Sequence, residues 1–476
     1  MNLKRFITRK ILPQILLMMF GLGSMMAQGP IDLTPEQSAS WSGVYKYMNE
    51  SPNPDSAIVF LRQSAQNLTG PARDLITYQL HHIFANLVVM AYRNDSVSSP
   101  EKWKKAGFAR DMVNLLAQEK IGPLHQATNG LVTWAKLAEG RNGAATTDLV
   151  NTFIHKEIFS QDLYLNRSGR YGVMIYKQLL ENPKQQTLAA KLFDALDENL
   201  TQNQIVLTEK SSFEDRQKRA WLRYMLASLN FVKGSDEKDL EEKEKYLQKA
   251  FHFSPDAMDL SHAGFVVDIP MLHTPDRISF QKDYLDLLVE RNASQEKLLP
   301  VLLVMSLANP DYKTQLEKTY GLKGGQQKDF ASYWLDAVNG IANNTPPMEL
   351  PLLDNQQFVS RAWTGKWILL DFWGTWCAPC RAEHPDMEKL YTDYVKPKND
   401  QMAIVTIACN DKKEKVAAYM QEKKFTFPVA MSDDQIQETL LITTYPTKLL
   451  ITPQGKYVRV PNGPKWVEFV KLYTGL

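Results

Sequence analysis

A change of hydrophobic period near residue 345 divides this 476-residue chain into two parts that cannot share one architecture. From Leu33 to about Asn344, apolar residues recur three and four apart, the period of helices with one buried face. The stretch Ala342-Asn343-Asn344-Thr345-Pro346-Pro347 then reads as a linker, because paired prolines oppose helix continuation. Beyond it, short apolar runs alternate with helical segments, the pattern of a sheet covered on both faces. The expected organisation is therefore an all-helical domain over 28–345 followed by an α/β domain over 346–476. With 44% hydrophobic residues the chain can fill more than one core.

Helical periodicity is expected over Ala72 to Arg93, Glu101 to Gln118, Leu149 to Phe159, Thr187 to Leu200, Phe213 to Val232, Asp236 to Phe251 and Gln281 to Val289. Trp221-Leu222-Arg223-Tyr224-Met225-Leu226-Ala227, followed by Tyr246 to Asp256, resembles one tetratricopeptide-type repeat. No regular period accompanies it, so an irregular helical domain is favoured over a solenoid. The β-branched run Phe265-Val266-Val267 before Asp268-Ile269-Pro270 reads as a loop or brief strand.

Lys4, Arg5, Arg9 and Lys10 precede the apolar run Ile11 to Phe20, and small residues lead on to Ala27. This is the layout of a cleaved export signal over 1–27, the alternative being a retained membrane anchor. Export implies a bacterial periplasm, with the anchored form facing the same space. The 55 basic and 53 acidic residues nearly cancel, which gives no reason to expect a nucleic acid partner. The eight histidines show no ligand spacing that requires a metal, and no glycine-rich phosphate cradle is present, so neither metal nor cofactor is expected.

All three cysteines, Cys377, Cys380 and Cys409, lie in the last quarter of the chain, so disulfides do not frame the rest. Strands are expected over Trp367 to Trp373, Met402 to Ala408, Thr447 to Ile451 and Lys456 to Val460, with a further short one within Phe427 to Ala430. Helices are expected over Arg381 to Val395 and Lys413 to Lys423. Cys377 and Cys380 then sit where a strand gives way to a helix. Two cysteines one helical turn apart can close a local disulfide, and the helix N-terminus favours the thiolate of Cys377. Cys377 is the expected nucleophile and Cys380 the resolving thiol. Half a zinc site and a static disulfide are the rival readings. Zinc would have to recruit Cys409 and His384.

Asp371-Phe372-Trp373-Gly374-Thr375-Trp376-Cys377-Ala378-Pro379-Cys380-Arg381 resembles the thioredoxin active-site motif, and Tyr445-Pro446-Thr447 resembles that family's cis-proline loop. The region from about Met348 onwards is most similar to the exported thioredoxin-like disulfide reductases of the TlpA and ResA type. The resemblance implies a thioredoxin-like fold, attack by Cys377, resolution by Cys380, and Trp376 as a flat surface beside the site. It makes Pro446 the cis-proline beside which substrate backbone pairs, and Asp371 the buried acid that assists proton transfer from Cys380. Burial in an apolar strand would raise the pKa of Asp371. Pro385 matches the kink of the family's active-site helix. Ala378 stands where glycine is usual, and Tyr445 is bulkier than the family's usual residue, which bears on substrate choice.

The expected activity is thiol-disulfide exchange, most simply the reduction of protein disulfides, with electrons delivered by a separate protein, membrane-embedded or not. A redox-responsive binding or scaffold protein is the alternative. A peroxidase is disfavoured by the tight spacing of the pair. His384, one turn beyond Cys380, is placed to tune its electrostatics, whereas Cys409 reads as a buried inert thiol, with a regulatory or second resolving role as its alternative.

Overall fold

A computed structural model describes residues 33–475 apart from 67–70, 94–98, 141–143, 160–161, 209–210, 274–276, 322–328 and 399. The expected export signal over 1–27 lies outside the described residues. The chain forms two compact units. One comprises the described residues up to Val206 with Phe213–Pro255 and His262–Phe280. The other comprises Leu207–Ser212, Asp256–Ser261 and everything from Gln281 onwards.

The first unit is helical. Sequential helices pack on one another, among them Pro35–Tyr45 on Pro54–Gln66, Ser168–Leu180 on Gln186–Gln202, and Phe213–Asp236 on Leu240–Phe253. Close approach within the second of these pairs needs a glycine: a Cβ at Gly172 would stand 2.7 Å from Leu196 Cδ2. The pair resembling a tetratricopeptide unit turns at Asp239, whose carboxylate caps the second helix by accepting from the backbone N–H of Glu241 and Glu242. The run expected over Ala72 to Arg93 is helical throughout, but its middle turn, Gln79–Phe84, is π-wound.

Phe265-Val266-Val267 is neither loop nor strand. It belongs to the 3₁₀ turn Gly264–Asp268, which runs into the helical turn Ile269–Leu272. Pro270 occupies the first turn of that segment, where its missing N–H costs nothing. Asp268 is drawn inward by Arg170, Nη1 to Oδ1 2.7 Å.

The second unit is built on a six-stranded sheet: β1 (Asn343–Asn344), β4 (Trp367–Trp373), β5 (Met402–Ala408), β6 (Val429–Met431), β7 (Thr447–Ile451) and β8 (Lys456–Val460), in the order β1-β8-β7-β4-β5-β6. β4, β5 and β6 are parallel, while β7, β8 and β1 join antiparallel. A separate hairpin pairs β2 (Glu349–Pro351) with β3 (Gln357–Val359). Alternation along β4 sorts its side chains. Ile368, Leu370 and Phe372 enter a core with Leu350, Phe358, Val405 and Ile407, leaving Asp371 and Trp373 for the opposite face.

Two features of this unit depart from the sequence reading. The expected linker at 342–347 supplies strand β1, with Asn343 opposite Tyr457. The residues from Gln281 to Ile341, assigned from periodicity to the helical domain, cluster with the sheet. Trp334 stacks edge-on against Tyr473 at 4.8 Å, Lys313 Nζ donates to the Leu472 carbonyl at 2.8 Å, and Asn339 Nδ2 donates to Gln454 Oε1 at 2.9 Å. Helical period reports local structure, and only side chains that meet far along the chain decide which core a helix joins.

Candidate active site

β4 ends at Trp373, and a four-residue turn leads into the helix Ala378–Leu390, so the Cys377–Cys380 pair sits at a strand-to-helix junction. Cys377 is the N-cap, its Sγ accepting from the Cys380 backbone N–H at 3.2 Å. Pro379 lies in the first turn, where a missing N–H is tolerated. Asp411, just past β5, secures the turn through its Oδ2, which accepts from the Thr375 N–H at 2.6 Å. Gly374 is required here, because a Cβ would stand 2.4 Å from the Trp376 indole nitrogen folded back over it. The two cysteines are joined as a disulfide with Cα atoms 5.4 Å apart. Both are buried, while Trp376 beside them is 47% exposed.

Beneath the helix the sheet carries a polar row across three strands. Asp371 on β4 lies opposite Thr406 on β5 and Lys448 on β7. Lys448 Nζ is 3.1 Å from Asp371 Oδ1 and also pairs with Glu383 Oε2, one turn beyond Cys380 on the helix. The Trp466 ring lies 4.8 Å from the same ammonium. Burial pushes the Lys448 ammonium towards neutrality, but Asp371 and then Glu383 outweigh it and hold its pKa above the ordinary lysine value.

From the sequence Asp371 is expected to be a buried acid in an otherwise apolar strand, with a satisfied strand-end carboxylate as the alternative. It is a partnered carboxylate. Lys448 and Glu383 are the residues the sequence reading missed. The available signal was a lysine within the apolar run Thr447 to Ile451, since a charge on a fully buried strand requires a counter-charge.

His384 is fully buried against Trp373, with ring centres 4.3 Å apart, and its Nδ1 meets the Tyr419 hydroxyl at 3.0 Å. Burial, opposed by Asp371 and reinforced by Lys448, pushes its pKa down to about 4. At neutral pH it carries no charge with which to tune Cys380, so the electrostatic role expected from its spacing is replaced by packing. Pro385 lies inside the helix.

The Tyr445-Pro446 peptide is cis, and Thr447 Oγ1 closes the loop by donating to the Thr444 carbonyl at 2.7 Å. Cys409 is buried at the end of β5, and burial pushes its thiol up to about 12, which keeps it protonated. It is not a thiolate available for a second resolving step. Among the described residues no group of three or more His, Cys, Asp or Glu is arranged to hold a metal ion, and no helix is long and apolar enough to cross a membrane.

A family described as thioredoxin-like matches residues 365–457. The thiol-disulfide oxidoreductase ResA of Bacillus subtilis is 31% identical over 150 residues, which cover 31% of this chain and 78% of that protein. The thioredoxin-like protein YneN of the same organism is 30% identical over 164 residues, covering 33% of this chain and 84% of that one. A thiol:disulfide interchange protein of Chlorobium tepidum has a crystal structure that overlays on 28% of this chain and 97% of its own, with 26% identity and a TM-score of 0.25.

Proposed function

Since this chain belongs, through its C-terminal region, to the thioredoxin-like thiol-disulfide oxidoreductases of the ResA type, we propose that it is an exported enzyme that reduces protein disulfides through Cys377 and Cys380. The observation that carries this reading is the position of Cys377 Sγ at a helix N-terminus, accepting from the Cys380 N–H at 3.2 Å. In the reduced protein the same N–H and the helix dipole stabilise a thiolate.

The Cys377 thiolate attacks one sulfur of the substrate disulfide, forming a mixed disulfide and releasing the first substrate thiolate, which takes up a proton. Cys380 gives up its proton to Asp371 and attacks Cys377 Sγ. That step breaks the mixed disulfide, releases the second substrate sulfur as a thiolate that takes up a proton from solvent, and leaves the enzyme as the Cys377–Cys380 disulfide. Two electrons have passed to the substrate, and a separate dithiol protein must return them. Trp376 and the Pro446 loop border the place where the substrate docks. The basic and apolar pattern up to Ala27 supports export to a periplasm, and the helical unit supplies recognition or partner docking.

The test is reduction of insulin disulfides with dithiothreitol as the electron source. The wild-type protein turns over, Cys377→Ser abolishes turnover, and Cys380→Ser accumulates the mixed disulfide. Undiminished turnover by Cys377→Ser would overturn the assignment. A reduction potential near about −270 mV supports a reductase, and one near about −120 mV an oxidase.

A further inference from the structure

Each of the two aromatic rings beside the cysteine pair is anchored by a hydrogen bond to a residue that takes no part in exchange, Trp376 to Cys409 and Tyr445 to Gln437. The Trp376 indole N–H donates to the Cys409 carbonyl at 3.1 Å. The Cys409 thiol itself donates to the Ile407 carbonyl at 3.4 Å. Gln437 holds the Tyr445 hydroxyl, its Nε2 donating to Oη at 2.9 Å. The Gln437 Oε1 is taken by Ser432 Oγ, and Ser432 N–H is tied to the Ala408 carbonyl at 2.9 Å. Donors and acceptors thus run in one direction, from Ser432 through Gln437 to Tyr445.

The result is a fixed corner. The rings of Trp376 and Tyr445 stand 5.2 Å apart at 81°, Trp376 exposed and Tyr445 half-buried. Neither face carries a charge. Gln437 itself is buried and has no surface to offer a substrate.

We propose that Gln437 is a positioning residue which, through Tyr445, holds this corner ready for an aromatic or large apolar side chain next to the target cysteine, so that the enzyme selects disulfides flanked by such residues. The inference rests on the thiol-disulfide reading above. Its physical basis is pre-organisation: a ring already immobilised need not be ordered when the substrate binds, and ordering one side chain costs a factor of about 2 to 12 in affinity.

The experiment uses the full-length protein and two oxidised synthetic peptides of equal length, each closed by one disulfide, with either Phe or Ser flanking the cysteine. Hydroxyethyl disulfide serves as a substrate too small to fill the corner. The wild-type protein should favour the Phe peptide through KM. Gln437→Leu should raise KM for that peptide by roughly tenfold with kcat unchanged, and should leave kcat with hydroxyethyl disulfide and the equilibrium potential as they were. Tyr445→Phe keeps the ring and removes the shared hydroxyl, so it should raise the same KM even if Gln437→Leu does not fold. The double variant should add nothing further.

A preference for the Phe peptide that survives both substitutions, or its absence from the wild type, overturns the inference. Failure of the wild type to reduce hydroxyethyl disulfide at all overturns the thiol-disulfide reading beneath it, and the inference with it.

Discussion

Arg170 and Asp268 in the helical unit, and Lys448 with Asp371 and Glu383 in the redox unit, are withdrawn from water to different degrees. The first cluster is closed. Both side chains are fully buried, Asp268 receives Arg170 on one oxygen and the Trp221 indole N–H on the other at 2.9 Å, and Arg170 also donates to the His81 carbonyl and the Tyr171 hydroxyl. The second cluster has an open edge, because Glu383 keeps 24% of its side chain exposed. An ion pair with every oxygen used and no water nearby can only hold helices in place. One with a carboxylate reaching solvent, one turn from Cys380, keeps an edge that can rearrange.

Removing the cation separates the two cases. Arg170→Met leaves Asp268 buried without its counter-charge, and the expected loss is about 3–5 kcal/mol, read as a lower denaturation midpoint in urea. Near-wild-type stability would mean that the closed cluster is not a structural pin.

Acid tests the surroundings of the open cluster. The pKa of His384 falls to about 4 on folding, against roughly 6.5 in the unfolded chain. Its contribution is therefore complete above about pH 6.5 and is lost as pH falls through 4, a change of about 3 kcal/mol. His384→Phe fits the surrounding Trp373, Phe425 and Phe427 rings and should flatten the decline in stability between those pH values. An unchanged slope would show that His384 is charged in the folded protein.

Lys448→Met should cost less than Arg170→Met, about 3 kcal/mol, the low end for breaking a buried pair, because Glu383 can turn to water when its partner is gone although Asp371 stays buried. Its distinguishing sign is kinetic: the pH dependence of disulfide reduction should move, since the charge beside Asp371 has been removed. A stability loss as large as that of Arg170→Met, with an unmoved pH profile, would make the two clusters alike.

Much of the redox unit was legible because its determinants are local. The strands at 367–373, 402–408, 447–451 and 456–460 and the helix at Lys413–Lys423 have the bounds that apolar runs and turn residues imply. Elsewhere the local signal pointed astray: Phe265 to Val267 looks like strand yet is wound into a 3₁₀ turn, with Asp268 held in the core by Arg170. A helix does end before the paired prolines, but what followed Ile341 was a sheet edge rather than a free linker.

The sequence by itself determined the strand-to-helix placement of Cys377 and Cys380, because turn chemistry, spacing and helix capping act over a few residues. It also singled out Asp371, Trp376 and Pro446. Only the tertiary structure decided that Asp371 has a lysine partner, that His384 is neutral, that Cys409 anchors Trp376 and Gln437 anchors Tyr445, and that the helices from Gln281 onwards join the redox core. Each of these depends on side chains brought together by strand register or by packing between distant segments. Burial then fixes their charge and hydrogen bonding, and no local pattern encodes which distant residue will be there.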